Sequence, residues 1–355
     1  MAHNIGRESS MSKYDLIVFV GRFQPFSEHH KEIIRRAKEQ TDRLLIVVGS
    51  SFTRRTTRNP LTWEERESMI QEFVDKEYSS RAFEIAVVPQ RDRLYNDTAW
   101  SVDISRKVSA ELSALALERG WYSPGAKDFK VGIIGHKKDE TTTHLDMFPQ
   151  YDLIDVGYID APSASEIRQK IFDATENRGT AVIIDTIKKE LHVPYTVARS
   201  LLNMYMEETA YRRLWGEGPF LTADAVVQVG DHVLLIERGD GGGWALPGGF
   251  LNKNETFIQG AIRELKEETR LKVPIPVLKG SLKNRRVFDD PHRSTRARIV
   301  TEAFHFHLVS DTSLPEVRGS DDAKKAFWCP IAELQMNEEK FFDDHSHILR
   351  YFLGI

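Results

Sequence analysis

The hydrophobic pattern of this 355-residue chain changes once along its length, near Thr180. Before that point, short runs rich in β-branched residues alternate with helix-like stretches, which is typical of βαβ units and a parallel sheet. After it, strand-like runs follow one another with one long helix between them. Because a single hydrophobic core stops growing at roughly 250 to 300 residues, two domains are expected. The sequence therefore predicts an α/β protein, with a doubly wound parallel sheet followed by a second α/β domain of mixed strands.

The strand and helix signals follow the same division. The predicted strands of the first half are 16–20, 44–48, 85–88, 130–134 and 153–156. The predicted helices are 28–40, one that Thr62 opens, 98–117 and 167–171, then two amphipathic stretches, 182–191 and 196–214. In the second half the predicted strands are 223–229, 233–237, 298–309 and 326–328, and the helix is 256–269. Thr62 with Glu65 and Ser163 with Glu166 have the spacing of capping boxes, which favours helix starts at both places.

Composition excludes several classes of protein. Hydrophobic residues make up 41% and charged residues 29% of the chain, which is ordinary for a globular protein. The net charge of −4 provides no overall basic field for nucleic acid, and apolar runs such as 16–20 are far shorter than the roughly 18 residues of a membrane span. Cys329 has no partner for an intramolecular disulfide, so we expect a buried thiol and a cytoplasmic protein. We therefore expect no nucleic-acid or membrane partner.

The segment after the first strand carries the first candidate site. Gly21 allows close approach of the backbone to a ligand, Arg22 offers a planar set of donors, and the next helix presents free N–H groups at its start. A phosphate would bind at such a place. The alternative is an ordinary strand-to-helix loop with a surface arginine and two solvated histidines, His29 and His30.

The residues of this loop, Gly21-Arg22-Phe23-Gln24-Pro25, resemble the opening of the archaeal-type nicotinamide mononucleotide adenylyltransferases of the HxGH nucleotidyltransferase superfamily. The resemblance continues at 58–62, at Asp92, Asn96 and Trp100, and at 163–168. It implies a Rossmann-like fold and the transfer of an adenylyl group from ATP to nicotinamide mononucleotide, giving NAD. Mg²⁺ would bridge the phosphate oxygens.

The resemblance also implies roles for residues. Those implied to hold the triphosphate and the developing charge are Arg22, His30, Arg58 and Arg168. Those implied to contact nucleotide are Gly21, Phe23, Gln24, Pro25, Ser27, Asp92, Asn96, Ser163 and Ser165. Trp100 would stack on the nicotinamide ring, and its alternative is a core aromatic. The sequence departs from HxGH, since the motif here is Ser27-Glu28-His29-His30, and His29 brings a side chain to where the family's backbone packs against adenine.

A second candidate site lies on the predicted helix 256–269. Glu264, Glu267 and Glu268 share one helical face, and like charges that converge favour a hard cation such as Mg²⁺ or Mn²⁺ between them. The alternative is a solvated acidic face. The spacing from Gly249 to Leu271 resembles the Nudix box, GX5EX7REUXEEXGU with U apolar, except that Arg270 replaces its late glycine. A residue other than glycine there would need strain or a rerouted turn.

The Nudix resemblance implies an α/β/α sandwich and a metal-dependent pyrophosphatase. The implied metal ligands are Glu255, Glu264, Glu267 and Glu268, with Arg263 orienting a carboxylate and Gly248 and Gly249 beside the nucleotide. The segments 287–296 and 342–345 resemble bifunctional adenylyltransferase/Nudix proteins, which act on ADP-ribose and release AMP and ribose 5-phosphate. Asp290 and Thr301-Glu302 depart from that pattern, which weakens the substrate assignment more than the reaction type. Arg293 and Arg296 would meet a terminal phosphate, or be solvated loop residues.

The predicted organisation is a flexible segment 1–12, a nucleotidyltransferase domain 13–185, a helical linker 186–214 and a Nudix domain 215–355. The predicted function is a bifunctional enzyme of NAD metabolism, with ATP, nicotinamide mononucleotide, NAD and ADP-ribose as its small-molecule partners. Two alternatives stay open: an active Nudix domain beside a nucleotide-binding domain that is weak or inactive in transfer, and a regulator that senses ADP-ribose or NAD. The sequence leaves the oligomeric state open, a homo-oligomer included.

Overall fold

The computed structural model describes residues 12–78, 83–120, 129–136, 143–173, 179–216, 218–309 and 313–355. Its first sheet has five parallel strands in the order β3-β2-β1-β4-β5. The strands are β1 (Leu16–Gly21), β2 (Arg43–Val48), β3 (Glu84–Pro89), β4 (Val131–Gly135) and β5 (Asp152–Asp155). The chain proceeds outward from β1 in both directions, so the order reverses between β1 and β4. Ligands of such sheets bind at this point, beyond the carboxyl ends of the strands.

Helices cover both faces of this sheet, as the apolar strand sequences require. The helices are α1 (Glu28–Lys38), α2 (Trp63–Glu77) and α3 (Asp97–Glu118). Ile33 of α1 and Ile70 of α2 pack in the core on one face, and Ile104 of α3 packs in the core on the other. The doubly wound parallel sheet predicted from the sequence is confirmed.

Three further helices pack together beside this sheet: α4 (Ala164–Asp173), α5 (Thr180–Leu191) and α6 (Tyr195–Trp215). Ile171, Ile187 and Leu201, one from each helix, share a core with Leu61, which immediately precedes the start of α2. The segment predicted as a helical linker is therefore helical, and it packs against the first domain rather than crossing solvent.

The second sheet has seven strands and is mixed, with β6 parallel to β11 and its other pairs antiparallel. The strands are β6 (Phe220–Val229), β7 (His232–Arg238), β8 (Trp244–Ala245), β9 (Gly248–Phe250), β10 (Leu282–Phe288), β11 (Ile299–Leu308) and β12 (Ala323–Pro330). The main path runs β10-β11-β6-β7-β12, and β8 and β9 pair with β7 and β6.

Helices lie on both faces of the second sheet too. They are α7 (Phe257–Thr269), α8 (Ile275–Gly280) and α9 (His345–Leu353). Leu265 of α7 packs in one core with Phe304, and Ile348 of α9 packs in the other with Phe288. This arrangement is the α/β/α sandwich that the Nudix resemblance implied. Short 3₁₀ turns occur at Thr143–Met147, Ile331–Glu333 and Gln335–Lys340.

The two domains contact each other directly. The ring of Tyr95, between β3 and α3, lies 4.8 Å from that of Phe288, and Arg91 forms an ion pair with Glu338. Arg54 donates to the carbonyl oxygens of Gly241 and Gly242. These contacts hold the loops at the carboxyl ends of the first sheet against the second domain.

Two expectations from composition can be compared with this fold. Cys329 is buried, as expected. No helix in the described ranges is both long enough and apolar enough to cross a membrane.

Candidate active sites

The loop after β1 is shaped by its own side chains. Phe23 has a φ of +52° and is buried, and a Cβ at Gly21 would lie 3.1 Å from its ring. The glycine therefore allows Phe23 to fold back beneath the loop, where it contacts Phe19 and His30. The expected approach of a ligand to the Gly21 backbone stays a prediction.

Gln24 and Arg66 hold this loop against the loop after β2. The carboxamide of Gln24 accepts from Leu61 N at 2.9 Å and donates to Leu61 O at 2.8 Å. Arg66 is fully buried and donates to the carbonyl oxygens of Arg22, Gly49 and Ser50. Both polar atoms of the Gln24 side chain are thus engaged in joining the two loops, and its nucleotide contact stays a prediction.

His30 is an uncharged hydrogen-bond donor. Its Nδ1 accepts from Ser27 N at 3.1 Å and lies 2.9 Å from Ser27 Oγ, which closes the capping box of α1. Burial lowers the pKa of His30 to about 3, with lesser contributions from His29 and Arg168. Because Nδ1 accepts, the proton of the neutral ring is on Nε2. The buried Ser27 hydroxyl orients His30 in this structure, and its contact with phosphate stays a prediction.

Three guanidinium groups lie close together beyond this loop. Burial lowers the pKa of Arg22, and it lowers those of Arg58 and Arg168 to about 10, where repulsion from Arg22 contributes further. Arg168 donates to Ala164 O and to Ser165 Oγ. Among the described residues, the side chains of Arg22 and Arg58 make no hydrogen bond or ion pair. Part-buried cations without partners mark a binding site for an anion.

A cavity of about 440 Å³ opens beside Arg22 and Arg168. One wall is formed by the loop after β1 and the start of α1, and the other by the start of α4. The lining residues include Arg22, Gln24, His30, Ser163, Ser165 and Arg168. His29 lines the cavity, and its ring lies 6.2 Å from that of His136. The side chain that replaces the family's glycine thus forms part of the wall and leaves the cavity open.

The helix start beside this cavity has the predicted cap. Ser163 N donates to Glu166 Oε2 and Glu166 N donates to Ser163 Oγ, which confirms the capping box. The first turn of α4 therefore faces the cavity with Arg168 anchored one turn further on.

The segment predicted to hold nicotinamide is partly occupied by structural bonds. Asp92 accepts from Ser50 N at 3.0 Å and from Ser50 Oγ at 2.6 Å. Asn96 caps α3 by accepting from Ala99 N. The ring of Trp100 is half-buried and lies 5.9 Å from that of Phe148, against the core. Its stacking on nicotinamide stays a prediction.

The carboxylates of the second site surround Arg263. This guanidinium donates to Glu264 Oε1 at 2.7 Å and to Glu267 Oε2 at 3.0 Å, and it pairs with Glu255 at 2.7 Å. The hydrogen bond from Arg263 is the main cause that lowers the pKa of Glu255 to about 2. Arg263 therefore orients several carboxylates at once, as the resemblance implied.

Glu268 is the most buried of the three helix carboxylates. It accepts from Gly248 N at 2.9 Å, and burial raises its pKa to about 8. Burial also raises the pKa of Glu264. A second buried acid, Asp224 on β6, adds to the raised pKa of Glu268 and was not singled out in the sequence, where it lies inside a strand.

The donor set fits a divalent cation. In the part of the chain that the structure describes, no three histidine, cysteine or acidic side chains are already arranged to hold a metal ion, because Arg263 lies between Glu264 and Glu267. The ionised forms of Glu264 and Glu268 are nevertheless costly at this buried place, and a cation would stabilise both. Carboxylate oxygens are the ligands that Mg²⁺ and Mn²⁺ prefer.

The glycines before the helix leave room for these acids. A Cβ at Gly249 would collide with the Glu264 carboxylate, and a Cβ at Gly248 would lie 2.6 Å from Ala223 O. Arg270, which replaces the late glycine, ends α7 in a left-handed conformation with φ of 53°. The predicted strain at that position is confirmed.

The two arginines predicted to meet a terminal phosphate differ. Arg293 is buried and paired with Asp344 through two hydrogen bonds, at 3.0 and 2.7 Å. Its burial excludes the solvated alternative, and a phosphate contact by Arg293 stays a prediction. Arg296 bonds Asp343 at 3.2 Å and lies over the Phe342 ring at the edge of a cavity between the domains. A phosphate contact by Arg296 stays a prediction.

Comparison with known proteins matches a different family to each half of the chain. Residues 18–115 match the cytidylyltransferase-like family and residues 218–352 match the NUDIX domain family. Over 184 residues the chain is 29% identical to the nicotinamide/nicotinic acid mononucleotide adenylyltransferase of Acinetobacter baylyi, covering 50% of this chain and 89% of that one. Over 138 residues it is 30% identical to the ADP-ribose pyrophosphatase of Methanocaldococcus jannaschii, covering 38% and 73%.

A solved structure matches over both domains. The bifunctional NMN adenylyltransferase/ADP ribose pyrophosphatase of Francisella tularensis aligns with a TM-score of 0.79 at 29% identity, covering 96% of this chain and 99% of that one. The same protein in complex with AMP and a manganese ion aligns with a TM-score of 0.77 at 28% identity, covering 96% and 99%. The chain therefore belongs to the family of two-domain proteins in which a nicotinamide mononucleotide adenylyltransferase domain precedes a Nudix domain of the ADP-ribose pyrophosphatase type.

Proposed function

We propose that the chain catalyses two reactions of NAD metabolism. The first domain transfers an adenylyl group from ATP to nicotinamide mononucleotide and produces NAD and pyrophosphate. The second hydrolyses ADP-ribose to AMP and ribose 5-phosphate. The names of the relatives that match each half, and of the solved protein that matches both, support this pair of substrates.

The observation that carries the transferase assignment is the part-buried, unpaired state of two neighbouring arginines, Arg22 in the wall of the 440 Å³ cavity and Arg58 close to it. In adenylyl transfer, the phosphate of the mononucleotide attacks the α-phosphorus of ATP in line and pyrophosphate leaves. The protein's task is to position the two anions and to stabilise the charge that develops between them. Arg22, Arg58 and Arg168 serve this task as fixed cations.

His30 contributes a hydrogen bond rather than a charge. With a pKa of about 3 its ring is neutral at physiological pH, and Ser27 directs the Nε2–H group away from the helix cap. That group donates to a phosphate oxygen of the nucleotide. His30 is therefore a binding and orienting residue, and it exchanges no proton in the reaction.

The hydrolase site consists of carboxylates held in place by their neighbours. Glu264, Glu267 and Glu268 would bind the divalent metal, which we take to be Mg²⁺ or Mn²⁺, and the bound metal supplies Lewis acidity and an activated water. Arg263 fixes Glu264 and Glu267, and Gly248 N fixes Glu268. Glu255 in turn holds Arg263, so its own contribution is through that guanidinium.

We propose a cytoplasmic location, because the proposed substrates are nucleotides that are made and degraded there. The single cysteine, buried and without a disulfide partner, supports the same location.

Product analysis by chromatography tests the proposal. The full chain is incubated with Mg²⁺ and either ATP plus nicotinamide mononucleotide, or ADP-ribose. NAD and pyrophosphate in equal amounts are expected from the first mixture, and AMP and ribose 5-phosphate from the second. Absence of NAD while ATP still binds would refute adenylyl transfer and would leave a nucleotide-binding domain beside an active hydrolase.

A further inference from the structure

A second cavity, of about 390 Å³, lies between the two domains. The first domain lines it with Arg22, Arg58 and Asp92, and the second domain lines it with His292 and Arg296 among others. Arg22 also lines the 440 Å³ cavity, so the two cavities meet at that side chain. One side of the transferase site is therefore built by the other domain.

The geometry of in-line transfer fits two cavities that meet at Arg22. The attacking and leaving oxygens lie on opposite sides of the phosphorus, so the two substrates approach the arginines from opposite directions. The 440 Å³ cavity contains the helix start with Ser163 and Arg168, which suits the triphosphate. The interdomain cavity then receives the mononucleotide, whose phosphate must reach Arg22 and Arg58.

The segment that carries His292 is held firmly against the first domain. His292 N donates to Asp290 Oδ1 at 2.7 Å, which fixes the turn. The next residue, Arg293, is buried in its pair with Asp344, and Asp344 also accepts from Tyr95 of the first domain. Tyr95 follows Asp92 by three residues, so the His292 turn and the Asp92 segment are tied to one acid.

His292 is exposed toward the cavity, and its side chain makes no hydrogen bond within the described ranges. Partial burial lowers its pKa, and the charge of Arg58 lowers it further. At neutral pH the ring is therefore an uncharged donor beside two cations that await an anion.

We propose that His292 of the Nudix domain is a binding residue of the transferase reaction, which donates a hydrogen bond to the mononucleotide phosphate held by Arg22 and Arg58. This inference rests on the proposed adenylyl transfer. In this arrangement the transferase site of the first domain is incomplete without the second domain. The shared site gives a catalytic reason for joining the two domains in one chain.

Steady-state kinetics of the full chain test this role. For His292→Ala the KM for nicotinamide mononucleotide is expected to rise about 10-fold, the effect of one lost hydrogen bond to a charged group, with the KM for ATP unchanged. His292→Gln retains an N–H donor and should recover most of the loss. The matched control is His232→Ala, at the first residue of β7, which should change neither constant.

Hydrolysis of ADP-ribose by the same variants shows whether His292 contacts the phosphate of the mononucleotide or a phosphate of ADP-ribose. If His292 serves the mononucleotide, the rate and KM for ADP-ribose stay at wild-type values. An increase in the KM for ADP-ribose alone, or an equal rise in the KM for ATP and the mononucleotide, would overturn the proposal.

Calorimetric titration with nicotinamide mononucleotide distinguishes failure of this inference from failure of the proposed function, because binding needs no turnover. Weaker binding by about 10-fold in His292→Ala supports the role even if NAD synthesis is slow. Equal binding by wild type and variant overturns the role of His292 while wild-type turnover still establishes the function.

Discussion

A buried, neutral histidine lowers the stability of the folded chain at acid pH. The pKa of His30 falls from 6.5 to about 3 because the ring is buried. As pH falls below 6.5, the unfolded chain takes up the proton that the folded chain refuses, so stability is lost progressively between pH 6.5 and 3. At pH 5 this loss amounts to about 2 kcal/mol.

Replacement of His30 by glutamine should therefore reduce the fall in unfolding free energy between pH 7 and pH 5, as measured by denaturant titration. An identical pH dependence in wild type and His30→Gln would show that the ring is not held neutral.

Arg270 is a second residue with a local cost. It occupies the left-handed conformation that a glycine adopts freely, with φ of 53°. Arg270→Gly should raise the free energy of unfolding by roughly 0.5 to 1 kcal/mol, since the strain at Cβ disappears. Glu39→Gly, at a C-cap with φ of −67°, is the matched control and should lower it. A destabilised Arg270→Gly would mean that the arginine side chain stabilises the turn.

The sequence identified site residues by type but not by their partners. Arg22, Arg58 and Arg263 follow from motif and spacing. The engagement of Arg293 with Asp344, and of Gln24 with Leu61, joins residues 51 and 37 positions apart, which no local pattern reveals. The pairing of Arg293 with Asp344 therefore could not be predicted from the sequence.

At the scale of the element, helix α2 carries Arg66 into the core to join two loops. Its guanidinium satisfies the carbonyl oxygens of Arg22, Gly49 and Ser50, which are close to the phosphate-binding arginines. Arg66→Leu leaves these acceptors without donors and should lower the unfolding free energy by about 3 kcal/mol or more. Thermal unfolding measures the effect. The control is Arg106→Leu, since the Arg106 side chain is on the exposed face of α3.

Arg66→Leu should also bind ATP more weakly than the wild type, because the loop that positions Arg22 is no longer held in place. A stable Arg66→Leu with normal ATP affinity would contradict the clamp.

The elements predicted from sequence are those with strong periodicity. The strands β1, β2 and β4 are continuous apolar runs, and α7 has an apolar stripe opposite its acids. Strand β10 was missed because its sequence, LKNRRVF, alternates poorly and contains three basic residues on a sheet edge. Helix α9 was missed because its short apolar stretch lies among histidines and its start has no side-chain cap.

For the whole molecule, the contacts between domains should contribute to stability. Tyr95 bonds Asp344 and packs on Phe288, and Arg91 pairs with the buried Glu338. Tyr95→Phe with Arg91→Ala leaves Asp344 and Glu338 each without one partner and should lower the unfolding free energy by about 2 to 4 kcal/mol.

Differential scanning calorimetry measures this change in stability. The double variant should also raise the KM for nicotinamide mononucleotide, because the turn that carries His292 is no longer held against the first domain. The control is Arg106→Ala, which lies on exposed α3 and should alter neither quantity. Unchanged melting and KM would show that the domains are independent.

The two-domain order could be predicted from the sequence, since the change in hydrophobic period near Thr180 and the two motifs are local signals. The interface could not, because it depends on loops from both domains that are about 200 residues apart in sequence, such as Arg54 and Gly241. The shared cavity and its His292 wall are properties of that interface.

The central claim is that one chain carries two separable active sites, and product chromatography of two variants beside the wild type tests it most directly. Glu267→Gln should lower the rate of ADP-ribose hydrolysis by about 10²–10⁴-fold and leave the rate of NAD synthesis unchanged. Arg22→Ala should lose about 10- to 100-fold of NAD synthesis at low ATP and keep full hydrolysis, since a charged hydrogen bond is lost at one site only. Loss of both activities in either variant, or of neither, would contradict the assignment.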